Sequence, residues 1–223
     1  MPTRKPSPPK PELEDALFGD QPAFETWLES HHESSPGIWC LFAKKDSGQT
    51  SVTYKEAVEV ALCFGWIDGQ ARTSDRKGFF RVRFVQRRPR SVWSRINRDK
   101  VLALIESGRM RPSGLAQIEV AKANGQWDRA YDGPATAAVP PDLEAALKKN
   151  AKARAFFKTL DRTNRYSVLW RVQTASPATR ARRIETLVDK LARHETFHAP
   201  NVPAKKRAVP KARGRKKTSP HGD

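Results

Sequence analysis

The sequence predicts an α+β fold: a small antiparallel sheet with helices in the N-terminal half, an all-helical C-terminal half, and disordered basic termini. Three observations carry this. A strict two-residue alternation over Phe80–Phe84 marks a strand, and beyond residue 141 only helical spacing is present. Residues 1–11 and 199–223 combine proline and positive charge with too little apolar surface to order a chain.

The elements follow in order. After the basic, proline-rich arm of residues 1–11, a short helix is expected from Glu12, with Phe24, Trp27 and Leu28 on one face. Pro36-Gly37 opens the apolar run Ile38 to Lys44, a strand closed by a turn at Asp46-Ser47-Gly48. Thr53-Tyr54-Lys55-Glu56 is a capping box: the threonine hydroxyl accepts from the N3 amide and Glu56 reaches back to the cap amide. Gly65 is placed to end the helix that follows. In the next strand Trp66, Asp68, Gln70 and Arg72 alternate with Ile67, Gly69 and Ala71; in the one after it Phe80, Val82 and Phe84 alternate with Arg81, Arg83 and Arg87. If the hairpin pairs with its apolar faces in register, Asp68 and Gln70 fall beside Arg81 and Arg83. A helix is expected from about Val92 to Ser107, with Trp93, Ile96, Val101, Leu104 and Ile105 inward, and another from Pro112 to the Gly125 break, carrying Leu115, Ile118 and Ala121. Residues 12–132 thus read as an α+β core, 133–141 as a proline-rich linker and 142–198 as a helical subdomain.

Charge narrows the function. The chain has 42 basic and 24 acidic residues, a net +18, and a run between Asp75 and Asp99 with nine Lys and Arg and no carboxylate. Such a balance suits an anionic partner, whether DNA, RNA or an anionic small molecule. Cys40 and Cys63 both sit in apolar periodic segments, which favours buried thiols over a disulfide framework and suits a reducing cytoplasm. No apolar run approaches the ~20 residues of a membrane helix, so the expected protein is cytoplasmic and not integral to a membrane. Nothing in the sequence specifies a cofactor, a metal or an oligomeric state.

The candidate ligand-binding residues are Trp66, Asp68, Gln70, Arg81, Arg83, Arg90, Trp93 and Asn97. Guanidinium forks donate paired hydrogen bonds to phosphate or carboxylate, and the flanking tryptophans offer faces for stacking or cation–π contact. Spacing alone favours a solvated strand face with ordinary ion pairs; the flanking tryptophans weigh against that, although either could equally be core. A second candidate surface is the tail: Lys205, Lys206, Arg207, Lys211, Arg213, Arg215, Lys216 and Lys217 form a nonspecific nucleic-acid arm, in which Arg213-Gly214-Arg215 has the core of a minor-groove hook without the proline expected after it. Removing the eleven basic and one acidic residues of the two termini from the +18 total still leaves +8.

The motif Ala61-Leu62-Cys63-Phe64-Gly65-Trp66-Ile67-Asp68-Gly69-Gln70 resembles the signature of the YdeI/OmpD-associated family, described as bacteriocin-protection proteins. Arg87-Arg88-Pro89-Arg90-Ser91-Val92-Trp93-Ser94 with Asn97, Gly108-Arg109-Met110, Ala130-Tyr131-Asp132 and Thr179-Arg180-Ala181-Arg182-Arg183-Ile184 fit it in order, so the resemblance spans roughly Phe24 to His198. It implies a cytoplasmic stress- or bacteriocin-protection role and brings no catalytic residues. His194-Glu195-Thr196-Phe197-His198 spells the zinc-protease spacing H-E-x-x-H, but it falls at the end of a helix with Pro200 close behind, and an accidental match is the better reading. The expected protein is a non-enzymatic binder of nucleic acid or another anionic partner. The alternative is an enzyme or ligand-binding domain with an anion pocket around Asp68, Arg81, Arg83 and Arg90.

Overall fold

A computed structural model describes residues 12–199; the N-terminal arm and the basic tail lie outside the described residues. In chain order the elements are β1 (Asp15–Leu17), α1 (Gln21–His31), β2 (Ile38–Ala43), α2 (Tyr54–Cys63), β3 (Trp66–Thr73), β4 (Phe79–Gln86), α3 (Arg95–Glu106), α4 (Pro112–Ala123), α5 (Pro141–Lys148), α6 (Ala151–Thr159), α7 (Arg162–Gln173) and α8 (Pro177–Ala192). The α+β fold with a helical C-terminal half is therefore as expected. The sheet runs β1-β2-β4-β3. β4 is antiparallel to β2 on one side and to β3 on the other, whereas β1 adds to the edge in parallel with β2, so the sheet is mixed rather than purely antiparallel.

β1 replaces the helix expected from Glu12. Asp15-Ala16-Leu17 is too short for periodicity to separate strand from helix. Its backbone pairs with Trp39, Cys40 and Leu41, and α1 starts only after Asp20, whose carboxylate accepts from the Ala23 amide at 2.9 Å.

One sheet face is core. Ile38, Cys40 and Phe42 of β2 oppose Phe84, Val82 and Phe80 of β4, and α1 and α2 cover them with Phe24, Leu28, Ala57, Val58 and Ala61. The capping box forms as expected: the Thr53 hydroxyl accepts from the Glu56 amide at 3.3 Å, and the Thr53 amide donates to the Glu56 carboxylate at 2.9 Å. Gly65 ends the element at φ +74°. Cys40 and Cys63 are buried free thiols, and desolvation pushes them up to about 12 and about 11, which keeps them protonated and inert at neutral pH.

α3 begins at Arg95 rather than Val92, because the Ser94 hydroxyl caps it by accepting from the Asn97 amide at 3.1 Å. That start rotates the helical face: Val101 and Leu104 are buried, whereas Ile96 at 56% and Ile105 at 42% exposure point outward, contrary to the inward placement expected. Leu115 of α4 is likewise exposed. A second apolar cluster is drawn from α5–α8 and includes Leu143, Leu147, Phe157, Val168, Leu169, Val172, Leu187 and Leu191. Between the two clusters the Tyr131 amide donates to the Trp93 carbonyl at 2.9 Å, while Tyr166 and Gln173 of α7 bind the Asp132 backbone.

α4 rests on the end of α2 through Gly114. A Cβ there would overlap the Cys63 carbonyl, whose oxygen already accepts from the Arg111 amide at 3.1 Å. Gly114→Ala should cost about 1–3 kcal/mol in urea denaturation, as overpacking does. Gly19→Ala, with open space around its Cβ, should stay within about 0.5 kcal/mol.

Candidate anion-binding site

The hairpin that carries the site is not regular. Asp68 pairs with Phe84 but Ala71 pairs with Val82, so Gly69 and Gln70 together oppose Arg83 in a β-bulge. Paired residues share a face. Asp68 therefore lies on the Phe84 side, towards the helices, and not beside Arg81 and Arg83 as uniform alternation predicts. Its Oδ2 accepts from the Tyr54 hydroxyl at 2.6 Å, and the carboxylate that binds Arg81 is Asp15 of β1, at 2.7 Å. Beyond the bulge Arg72 faces Arg81, and Gln70 is taken by Arg72 at 3.2 Å.

The outer sheet face consequently gathers Arg72, Arg81 and Arg83 around Trp39 of β2. The Arg72 and Arg81 guanidiniums lie 5.1 Å and 5.0 Å from the Trp39 ring centroid, within cation–π range. None of these four side chains belongs to either apolar cluster. Trp39 was missed as a site residue in the sequence because it sits in an apolar run; Arg72 was not singled out, although alternation already places it on the face of Arg81, and the residue that the bulge turns away is Asp68. The tryptophans singled out instead are structural. Trp66 is fully buried, with Nε1 donating to the His32 carbonyl at 3.0 Å, and Trp93 is buried beneath Arg87. Asn97 lies in the first turn of α3, and Arg90 is exposed in the turn after β4.

Where β2 begins and β4 ends, a cleft of about 510 Å³ opens, lined by Ser35, Asp68, Gly69, Arg83, Arg87, Arg88 and Ser91 among others. Of the eight ligand candidates only Asp68 and Arg83 line it; Arg81 and Arg90 do not. Arg87 is 4% exposed and its guanidinium lies 3.5 Å from the centroid of Trp93. Burial lowers its pKa to about 10, against the opposing influence of the Asp68 and Tyr131 charges, so it stays cationic at neutral pH.

The remaining sequence candidates take structural roles or fall outside. H-E-x-x-H lies beyond the end of α8: His194 has φ +59°, which breaks the helix that the zinc geometry needs. His194 stacks on Phe156 with centroids 4.8 Å apart, the His198 ring bonds Ser167 at 2.8 Å, and Lys190 and Arg193 hold Glu195. Among the described residues no three His, Cys, Asp or Glu side chains are grouped to hold a metal. Arg180 of the α8 basic stripe is bound to Asp142 by two hydrogen bonds of 2.6 and 2.9 Å. The tail candidates Lys205 to Lys217 lie outside the described residues.

All three tyrosines of the chain respond to this arrangement. Desolvation raises the pKa of Tyr54, Tyr131 and Tyr166, the last to about 12, and the Asp68 carboxylate pushes Tyr54 and Tyr131 higher still. An acid with a raised pKa in the fold keeps its proton there, while the unfolded chain releases it near pH 10. Stability is thus unaffected below about pH 10 and falls as pH rises beyond it. Ultraviolet phenolate absorbance should appear only as the protein unfolds at alkaline pH, and Tyr54→Phe should flatten the alkaline loss of stability.

Comparison with known proteins divides the chain as the fold does. Residues 16–117, from β1 into α4, match a family model described as Domain of unknown function (DUF8412). Residues 136–194 match the model described as Bacteriocin-protection, YdeI or OmpD-Associated, which spans α5–α8 and contains the Thr179–Ile184 motif. No curated protein and no solved structure matches the chain. The motifs at Ala61–Gln70 and Arg87–Ser94 fall in the first match, so the similarity to the YdeI/OmpD-associated model is carried by the C-terminal helical segment, which follows a segment similar to the DUF8412 model.

Proposed function

We propose that the protein is a non-enzymatic, cytoplasmic protection protein of the bacteriocin- or stress-protection type, and that its outer sheet face binds single-stranded nucleic acid. The observation that carries the reading is Trp39, half-buried on that face between the Arg72 and Arg81 guanidiniums, with Arg83 beside it. A sheet surface that combines an aromatic ring with guanidiniums suits unstacked bases and their phosphates, because every base has a π-face and every nucleotide a negative charge. The family match supports the protection role through the description of its C-terminal segment alone.

Charge favours the same reading. Among the described residues Arg81 has a carboxylate partner on this face, whereas Arg72 and Arg83 have none within ion-pair distance. The basic tail adds charge that is independent of sequence and is expected to raise affinity without defining a site.

Fluorescence anisotropy with labelled single-stranded RNA across a salt series tests the proposal on the full chain. Affinity should fall steeply with salt, and Arg72→Gln should lower the log–log slope by about 0.7, the value of one single-strand phosphate contact. Trp39→Ala should weaken binding by about 1–3 kcal/mol, the range of one base–aromatic stack. If neutralising the eight tail cations abolishes binding and Trp39→Ala changes nothing, the sheet face is not the site.

A further inference from the structure

The cleft at the end of β4 carries more unmet chemistry than the face beside it. Arg83, Arg87 and Arg88 line it, and among the described residues no carboxylate lies within ion-pair distance of any of them. Asp68 also lines the cleft; its Oδ2 accepts from Tyr54, and its single charge offsets one of the three cations and leaves an excess of two. Arg87 is buried with Nε and Nη2 unpartnered, and its Nη1 makes only a long 3.4 Å bond to the Val92 carbonyl. Arg83 Nε is buried and unpartnered as well. A buried cation with unmet donors is costly, and the Trp93 face offsets only part of that cost.

Gly69 shows that the backbone accommodates this arrangement. A Cβ at that position would stand 3.3 Å from both Nε and Nη2 of Arg83, so the bulge leaves the guanidinium lying directly over the glycine. Three guanidiniums exceed what a single carboxylate neutralises. They match an oxyanion with two charges and several acceptor oxygens, since planar forks donate in pairs. At about 510 Å³ the cleft also falls in the ~300–1,000 Å³ range of small-molecule sites and leaves room beside a phosphate for an attached group.

We propose that this cleft binds a phosphomonoester dianion, with Arg83, Arg87 and Arg88 as its donors and a substituent of up to nucleoside size in the remaining volume. The site adjoins the Trp39 face at Arg83, but Trp39 does not line it and it does not depend on nucleic-acid binding there. Because the second phosphate proton has a pKa near 6, the dianion is lost on acidification while the arginines keep their charge, so affinity should decline as pH falls from about 7.5 to 5.5.

Isothermal titration of the full chain with adenosine 5′-monophosphate, at constant ionic strength, tests this, with adenosine as the uncharged control. The nucleotide should bind at least about tenfold tighter than adenosine, a difference of about 1.4 kcal/mol. Arg88→Gln, an exposed position, and Gly69→Ala, which displaces the Arg83 guanidinium, should each weaken the nucleotide severalfold with unchanged circular dichroism, and Trp39→Ala should leave it unaltered. Equal affinity for nucleotide and nucleoside, no binding, or loss on Trp39→Ala without loss on Arg88→Gln overturns the proposal. The last outcome would assign the nucleotide to the sheet face and leave the nucleic-acid reading standing.

Discussion

The structure depends on β4. It lies between β2 and β3, antiparallel to both, and its alternation of Phe80, Val82 and Phe84 with Arg81 and Arg83 assigns each sheet face its chemistry. A slip of one residue would place two guanidiniums against Phe24 and Leu28 and three apolar side chains in water, so hydrophobic burial and charge desolvation both enforce the same register. The candidate site follows from that enforcement. Arginine appears on the outer face because the core excludes it, and the core is ordered because the arginines have somewhere else to go.

The bulge at Gly69-Gln70 is the second constraint, and it separates what the sequence made legible from what it did not. Alternation along β4 could be read from one strand, because side-chain period is a local property. The capping box at Thr53-Glu56 and the stop at Gly65 were legible for the same reason. Pairing between strands is not local. Asp68 looks like a partner for Arg81 on an idealised hairpin, yet one extra residue turns it to Tyr54 and leaves Arg72 opposite Arg81. A glycine inside a strand is the available signal for such a bulge. It marks a place where register can shift, without saying by how much.

Non-local burial explains the other differences. Trp66 and Trp93 flank the arginine run in sequence and resemble a stacking pair, but one donates to the His32 carbonyl inside the core and the other lies under Arg87. Trp39 occupies an apolar run that reads as interior, and only its pairing opposite Arg83 places it on the outer face. β1 was hidden for a related reason: three residues hold no period, and their strand state comes entirely from the edge of β2.

The arginines of the chain then sort by what surrounds them rather than by where they cluster in sequence. Arg180 is consumed by Asp142, Arg193 by Glu195 and Arg81 by Asp15, so much of the apparent basic stripe is ordinary ion pairing of modest worth. Arg87 differs in kind. It is buried, it has an aromatic face in place of a carboxylate, and two of its nitrogens lack acceptors. An apolar side chain at that position would avoid a desolvation cost that the Trp93 face and the Asp68 charge offset only in part. Its position at the wall of a cleft shared with Arg83 and Arg88 therefore points to an acceptor supplied from outside the chain.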